Sequence, residues 1–188
     1  MRRLTVFNSV TLDGYFTGPN GDLSWAHENA DAEWNAFTAE NASGGGGVLL
    51  FGRVTYEMMA SFWPTPAAEQ SQPEVAAGMN AMPKVVFSRT LKNASWSNTK
   101  LVKDDPVSAV RRMKSERGDD LLIFGSGTIV SQLTQARLID EYQIVLVPII
   151  LGAGRTMFEG LKKPLNLKRT KSRAFGNGNM VLSYEPAD

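Results

Sequence analysis

The chain has 188 residues, no cysteine and one histidine, His27. Thiolate chemistry, disulfides and Cys-ligated zinc or iron–sulfur centres are excluded, and only one imidazole is open to a triad or a metal site, while carboxylate metal sites, Ser–Lys chemistry and a bound cofactor remain. With 20 Lys/Arg against 19 Asp/Glu the net charge is +1, which is not the balance of a nucleic-acid polycation.

Leu4–Ser9, rich in β-branched and aromatic residues, is the first predicted strand. Thr11–Phe16 then turns into a Gly/Pro/Asn loop over Gly18–Asp22. Asp31 caps a helix running to about Asn41, with Trp34, Phe37 and Thr38 on one face. Four glycines, Gly44–Gly47, read as a loop between helix and strand. Val48–Phe51 is an apolar strand ended by Gly52, and Arg53–Ser61 is helical. Pro64, Pro66 and Pro73 make Phe62–Pro73 an irregular loop, followed by a short helix over Glu74–Asn80. Lys84–Ser88 is a strand, with a further short one near Lys100–Val102. Pro106 opens a helix carrying Val107, Val110 and Met113, and Gly118 stops it. Leu121–Phe124 is another apolar strand, then come Gly125-Ser126-Gly127 and a helix to about Ala136. Glu141–Val147 is a strand and Met157–Phe158 adds a short one. Leu165–Ala174 and Asn179–Glu185 form a hairpin around Gly176-Asn177-Gly178.

Strands alternating with helices, then a strand-only tail, predict one α/β domain over residues 1–188. Its sheet is mainly parallel with an antiparallel edge. An apolar content of 43% and a charged content of 21% fit a globular chain. The apolar run Ile144–Leu151 is broken by Pro148 and is shorter than the roughly 20 residues of a membrane span. Met1-Arg2-Arg3-Leu4 leads straight into strand sequence with no secretory pattern. The expectation is a cytoplasmic protein with neither membrane nor nucleic acid as partner. Charge is uneven, however. Residues 1–80 hold 3 basic and 9 acidic groups, and residues 81–188 hold 17 and 10. That split points to a polar cleft, a subunit contact or an anionic ligand, or only to exposed faces that differ.

Three strand ends carry the most informative residues. They are Gly52-Arg53-Val54-Thr55, Ser88-Arg89-Thr90 and Gly125-Ser126-Gly127-Thr128. Ligands of open α/β sheets sit at the carboxyl ends of strands. Helix amino termini there attract phosphates, glycine admits close approach of the backbone, and arginine grips phosphate with a fixed fork. The set suits a nucleotide with several phosphates. Gly125-Ser126-Gly127 is not a full dinucleotide fingerprint, because Val130 replaces the third glycine, and no Gly-Lys-Ser/Thr follows to make a P-loop.

In their order, Val48–Glu57, Val85–Arg89 and Ile123–Gly127 resemble the dihydrofolate reductase fold family. Within it they are most similar to the carboxy-terminal reductase domain of the bifunctional riboflavin-biosynthesis deaminase/reductase. Ser9-Val10-Thr11-Leu12-Asp13-Gly14 looks like the Ser-Leu-Asp-Gly motif of that subgroup. Leu138–Tyr142, Val147–Gly154 and Phe158 look like its late signature. The resemblance implies a three-layer α/β/α fold, NADPH as cofactor, and hydride transfer to a small, flat heteroaromatic substrate of the pterin or pyrimidine kind. Gly52, Arg53 and Thr55 would hold cofactor phosphates, and Ser88 and Arg89 the adenosine 2′-phosphate. Gly125, Ser126, Gly127 and Thr128 would cradle the pyrophosphate. Ser9 and Gly14 would lie beside the cofactor, with Leu12 and Trp25 beside the substrate. Asp13, Tyr15 or water would supply the proton. Relatives of this kind pair as homodimers through late strands.

The chain departs from the pattern in two places. Tyr15 stands where riboflavin-pathway reductases carry lysine, which counts against a phosphoribosyl substrate. None of Asp31, Glu33 and Glu40 falls where dihydrofolate reductase places its pterin-binding carboxylate. A non-catalytic NADPH-binding or sensory protein is therefore the alternative. Among other residues, His27 reads as a solvated loop residue. Met58, Met59, Phe62 and Trp63 read as core or pocket lining, and Arg169, Lys171 and Arg173 as one charged face of an edge strand.

Overall fold

The computed structural model describes residues 1–43 and 46–187, so Gly44 and Gly45 of the four-glycine loop lie outside the described residues. The strands are β1 (Leu4–Thr11), β2 (Val48–Gly52), β3 (Lys84–Phe87), β4 (Thr99–Val102), β5 (Leu121–Phe124), β6 (Glu141–Val147), β7 (Leu167–Ala174) and β8 (Met180–Pro186). The helices are α1 (Ala32–Ser43), α2 (Arg53–Phe62), α3 (Pro66–Ser71), α4 (Pro73–Ala81), α5 (Pro106–Ser115) and α6 (Gly127–Gln135). The strands form one sheet in the order β4-β3-β2-β5-β1-β6-β8-β7. Neighbours from β4 to β6 pair in parallel, and β8 and β7 add antiparallel. This is the mixed, mainly parallel sheet expected from the sequence.

Alternation along the strands divides the core. Leu4, Val6, Leu50, Leu121 and Ile123 face α5 and α6, where Ala109, Val110, Ile129, Val130 and Leu133 cover them. On the opposite face Trp34 of α1 packs with Val145, Val147, Phe175 and Val181. Leu49, Phe51 and Val86 pack there with Tyr56, Met79 and Trp96. Each such side chain removed from water contributes about 1.5–3 kcal/mol. The two clusters on this face meet at Phe7 and Phe124, both half-buried, with ring centroids 5.8 Å apart and edge to face. Helices thus cover both sides of the sheet in three layers.

Three local expectations are corrected. The proline-rich stretch Phe62–Pro73 is not all loop, since it contains α3. Thr65 caps that helix by accepting from the Ala68 N–H, and Pro66 opens it. Pro73 opens α4 in the same way. A proline at the first helical position loses no hydrogen bond, so these prolines start helices instead of preventing them. Met157–Phe158 forms no strand. It lies in a turn, with Met157 buried against the α6 side of the core, and pairing nearby is limited to the bridge between Thr17 and Arg155. In β7 the register slips between Arg169, opposite Tyr184, and Lys171, opposite Ser183. Tyr184 and Ser183 point to opposite faces of β8, so Arg169 leaves the face that carries Lys171 and Arg173.

Lys84, 1% exposed, is a cation inside β3. Its ammonium donates to the carbonyls of Asn80, Met82 and Ser97 at 3.2, 2.7 and 3.2 Å and lies 4.4 Å from the Trp96 ring centroid. Burial lowers its pKa to about 8. The unfolded chain therefore binds more protons between about pH 8 and its ordinary value of roughly 10.5, and this site's contribution to stability rises with pH across that window. In urea melts, wild type is expected to gain on Lys84→Met between pH 8 and 10. A constant difference would show that the three carbonyls keep the ammonium charged.

Candidate active site

Strands β2 and β5 are parallel neighbours whose chains leave in opposite directions. β2 leads toward β3 on one side and β5 toward β6 on the other. Such a switch point opens a crevice at the carboxyl ends of the strands. A groove of about 1110 Å³ lies there. Helices α2 and α6 both begin on its wall, at Gly52 and Ser126, with no capping side chain among the described residues. Their first-turn N–H groups and partial positive charge are left for a ligand.

The two helix starts are laced together. Ser126 Oγ accepts from the Gly52 N–H at 2.9 Å, and Thr55 Oγ1 accepts from the Ser126 N–H at 2.9 Å. Gly125 and Ser126 are both left-handed, with φ of 65° and 58°. A Cβ on Gly125 would stand 2.7 Å from Thr55 Cγ2, so this turn needs glycine for both conformation and space. Arg53, Arg155 and Lys162 line the groove against, among the described residues, a single carboxylate, Glu159. Arg53 also pairs with Glu57 at 2.8 Å, and Arg155 with Glu159 at 3.1 Å. The wall thus carries an excess of positive charge, as an anionic ligand requires.

The groove brings together Gly52, Arg53, Thr55, Gly125, Ser126, Gly127 and Thr128. Phe87 reaches its edge at the end of β3, and Ser88 and Arg89 follow immediately outside it. Ser88 Oγ accepts from the N–H groups of Thr90 and Leu91 at 3.2 and 2.9 Å and lies 3.4 Å from Thr90 Oγ1. Arg89 is exposed near Asp105. Hydrogen bonds from Ser108 chiefly hold the Asp105 carboxyl below the usual carboxylate range, and the charge of Arg89 adds to them.

Ser9, Leu12, Asp13, Gly14, Tyr15 and Trp25 are not on the groove wall. Ser9 is half-buried in β1 opposite Val145, and Leu12 is 58% exposed. Asp13 accepts from Thr11 Oγ1 at 2.6 Å and from the N–H groups of Leu151 and Gly152 at 3.3 and 2.7 Å. The Thr11 bond, with those from the 151–152 backbone, holds its carboxyl below the usual range. A carboxylate used only as acceptor is a poor proton source. Asp13 instead braces the end of β1 against the late loop. Gly14, at φ 86°, makes the turn, with its N–H donating to the Thr11 carbonyl. The Tyr15 hydroxyl reaches the Gly152 carbonyl at 3.5 Å, in that same brace. Trp25, expected beside the substrate, is a core residue. It is 3% exposed, packs with Trp34 and Val147, and donates its indole N–H to the Asp22 carbonyl.

Sequence reasoning missed two wall segments, Phe16–Gly21 with Leu23, and Ala153–Met157. They are joined through Phe16 N–H to Arg155 carbonyl at 2.7 Å and Arg155 N–H to Thr17 carbonyl at 3.0 Å. Thr17 Oγ1, on this wall, is enclosed without a partner among the described residues. Asn8 was missed as well. Its signal was available, since it interrupts the apolar alternation Leu4, Val6, Val10 with an amide.

Comparison with known proteins agrees with this architecture. The chain is 26% identical over 183 residues to the uncharacterized protein YyaP of Bacillus subtilis (strain 168), covering 97% of this chain and 94% of that protein. A structure from Shewanella sp. PV-4, ascribed to riboflavin biosynthesis, superposes with a TM-score of 0.73 at 25% identity over 99% of both chains. Dihydrofolate reductase from Enterococcus faecalis, complexed with NADP(H), superposes with a TM-score of 0.65 at 13% identity, covering 99% of this chain and 97% of that one. The sheet is therefore that of the dihydrofolate reductase-like fold. The family model of the RibD C-terminal domain matches residues 2–181, and the chain belongs to that family.

Proposed function

We propose that the chain is an NADPH-dependent reductase acting on a small, flat heteroaromatic substrate of the pterin or pyrimidine kind. The observation that carries this reading is the pair of uncapped helix starts laced together in a cationic groove at the sheet's switch point. The residues present fit the group. Gly52, Arg53 and Thr55 would hold its diphosphate from α2, and Gly125, Ser126, Gly127 and Thr128 from α6. Ser88 and Arg89 would take the 2′-phosphate beyond the edge at Phe87. NADPH, when bound, supplies the hydride. Phe16, Leu23 and Met58 offer apolar surface to a flat ring and exclude water from it. Orientation supplies much of the rate in such a site. The proton comes from water, because Asp13 is committed as an acceptor and Tyr15 lies outside the groove. Membership of the family and the riboflavin ascription of the Shewanella protein support the reading, while Tyr15 argues against a phosphoribosyl substrate.

Titration of the purified protein is expected to change NADPH fluorescence and raise the melting temperature. A flat response in both overturns the proposal. Arg89→Ala should weaken NADPH binding about tenfold and leave NADH within about twofold, the difference being one charge-assisted phosphate contact. Equal losses would remove the 2′-phosphate role. A second reading, a nucleotide-binding protein without turnover, draws on one observation: the single carboxylate on the groove wall among the described residues, Glu159, is already paired with Arg155. It requires NADPH binding without oxidation across pterins, pyrimidines and flavin precursors.

A further inference from the structure

Asn8 stands in the middle of the central strand β1 with 4% of its surface exposed. An amide buried there is costly unless its donors and acceptor are all used. They are used, two of the three bonds on Gly125. Asn8 Oδ1 accepts from the Gly125 N–H at 2.5 Å, and Nδ2 donates to the Gly125 carbonyl at 3.0 Å. Nδ2 also donates to Met157 Sδ at 3.1 Å. Both main-chain polar groups of the first left-handed residue in the turn are therefore bound by one side chain, 117 residues away.

We infer that Asn8 is a positioning residue for the Gly125–Thr128 turn. It fixes the peptide planes on both sides of Gly125, so that the chain enters α6 with the N–H groups of Gly127 and Thr128 leading into the groove. Gly125 determines which way round the amide sits, and Met157, on the late wall, takes the second Nδ2 proton. With its ends exchanged, Nδ2 would meet the Gly125 N–H and Oδ1 would meet a carbonyl. One side chain thus ties together β1, the turn and the late wall. This inference rests on the groove being a diphosphate site, and it goes beyond that reading by naming what preorganises it.

The test follows the Gly127 and Thr128 amides of ¹⁵N-labelled protein during titration with inorganic pyrophosphate and, separately, NADPH. Asn8→Asp keeps the shape but sets an acceptor against the Gly125 carbonyl and the Met157 sulfur. It should weaken pyrophosphate binding at least tenfold, measured well below its melting temperature, and reduce the induced amide shifts. Thr134→Val is the control for a purely structural role. Thr134 is 4% exposed and its Oγ1 accepts from the Tyr142 hydroxyl at 3.1 Å, off the groove wall. That control should lower the melting temperature and leave pyrophosphate affinity unchanged. If Asn8→Asp behaves like the control, the inference is overturned. If Asn8→Asp does not fold, Met157→Leu decides. Loss of the sulfur acceptor at similar volume should weaken binding three- to fivefold, and an affinity equal to wild type overturns the coupling. Wild type that binds pyrophosphate but not NADPH refutes the nucleotide reading alone, whereas wild type that binds neither refutes both.

Discussion

Gly125→Ala is expected to lower stability by roughly 2–4 kcal/mol and NADPH affinity at least tenfold. Two costs add. An alanine held at φ 65° leaves the region its side chain prefers, at roughly 1 kcal/mol. Its Cβ would also stand 2.7 Å from Thr55 Cγ2 and 3.2 Å from Thr55 Oγ1, and overpacking of this kind costs about 1–3 kcal/mol. Neither neighbour moves freely. Thr55 Oγ1 holds the Ser126 N–H, and Asn8 holds both polar groups of Gly125. Relief must come from the turn itself, which separates the two helix starts that would share the diphosphate. Thr55→Ser in the same chain removes Cγ2 and keeps the hydroxyl. The double variant should recover most of the overpacking cost and retain the conformational one. Urea melts and NADPH titrations of the three proteins check this. A Gly125→Ala protein that Thr55→Ser fails to improve would sink the steric account.

The strands bearing the groove were legible because their information is local. Val48–Phe51, Val85–Phe87 and Leu121–Phe124 are short apolar runs ended by glycine or serine, and each is a strand where expected. Parallel order followed from the alternation with helices. The side chains that act over distance were not legible. Nothing local to Asn8 shows that its amide reaches Gly125, and nothing local to Asp13 shows that it accepts from Leu151 and Gly152. Asp13 stood beside Tyr15 and water as a candidate proton source because an acid next to a glycine at a strand end is chemically ambiguous, and its partners show it used as an acceptor. Trp25 was expected beside the substrate. A large aromatic serves a pocket or a core equally well, and packing with Trp34 and Val147 puts it in the core. The Pro66 and Pro73 starts of α3 and α4 were obscured because proline both ends and opens helices.

The charge split also acquired a location. The basic late half includes β7, whose described residues are exposed along its whole length, and one of its cations, Arg173, pairs with Glu33 of the acidic half at 3.1 Å. Arg155 and Lys162 bring late-half charge to the groove, where Arg53 is the early-half cation. The anion-attracting wall is therefore assembled from both halves of the sequence, and much of it depends on how the late loop is seated.

That seating rests on Gly154, and Gly154→Ala is expected to abolish most NADPH binding with a smaller loss of global stability. At φ 156° a Cβ on Gly154 would lie 2.1 Å from the Thr17 carbonyl oxygen. The oxygen cannot turn aside like a side chain, because it already accepts from the Arg155 N–H at 3.0 Å. The Phe16 and Thr17 N–H groups meanwhile donate to the Arg155 carbonyl at 2.7 and 3.3 Å. The substitution must push the two wall segments apart and break this bridge. Both are surface loops, so separation costs far less than a core cavity would, and the damage falls on the groove. The Phe16 and Thr17 amides should exchange with solvent at least tenfold faster, and NADPH affinity should fall by tenfold or more. Gly152→Ala is the matched control. It has φ 73° with nothing within 4 Å of its Cβ, so it carries only the conformational cost of about 1 kcal/mol and should bind NADPH nearly as wild type does. If the two variants exchange and bind alike, the Thr17–Arg155 bridge does not hold the groove together.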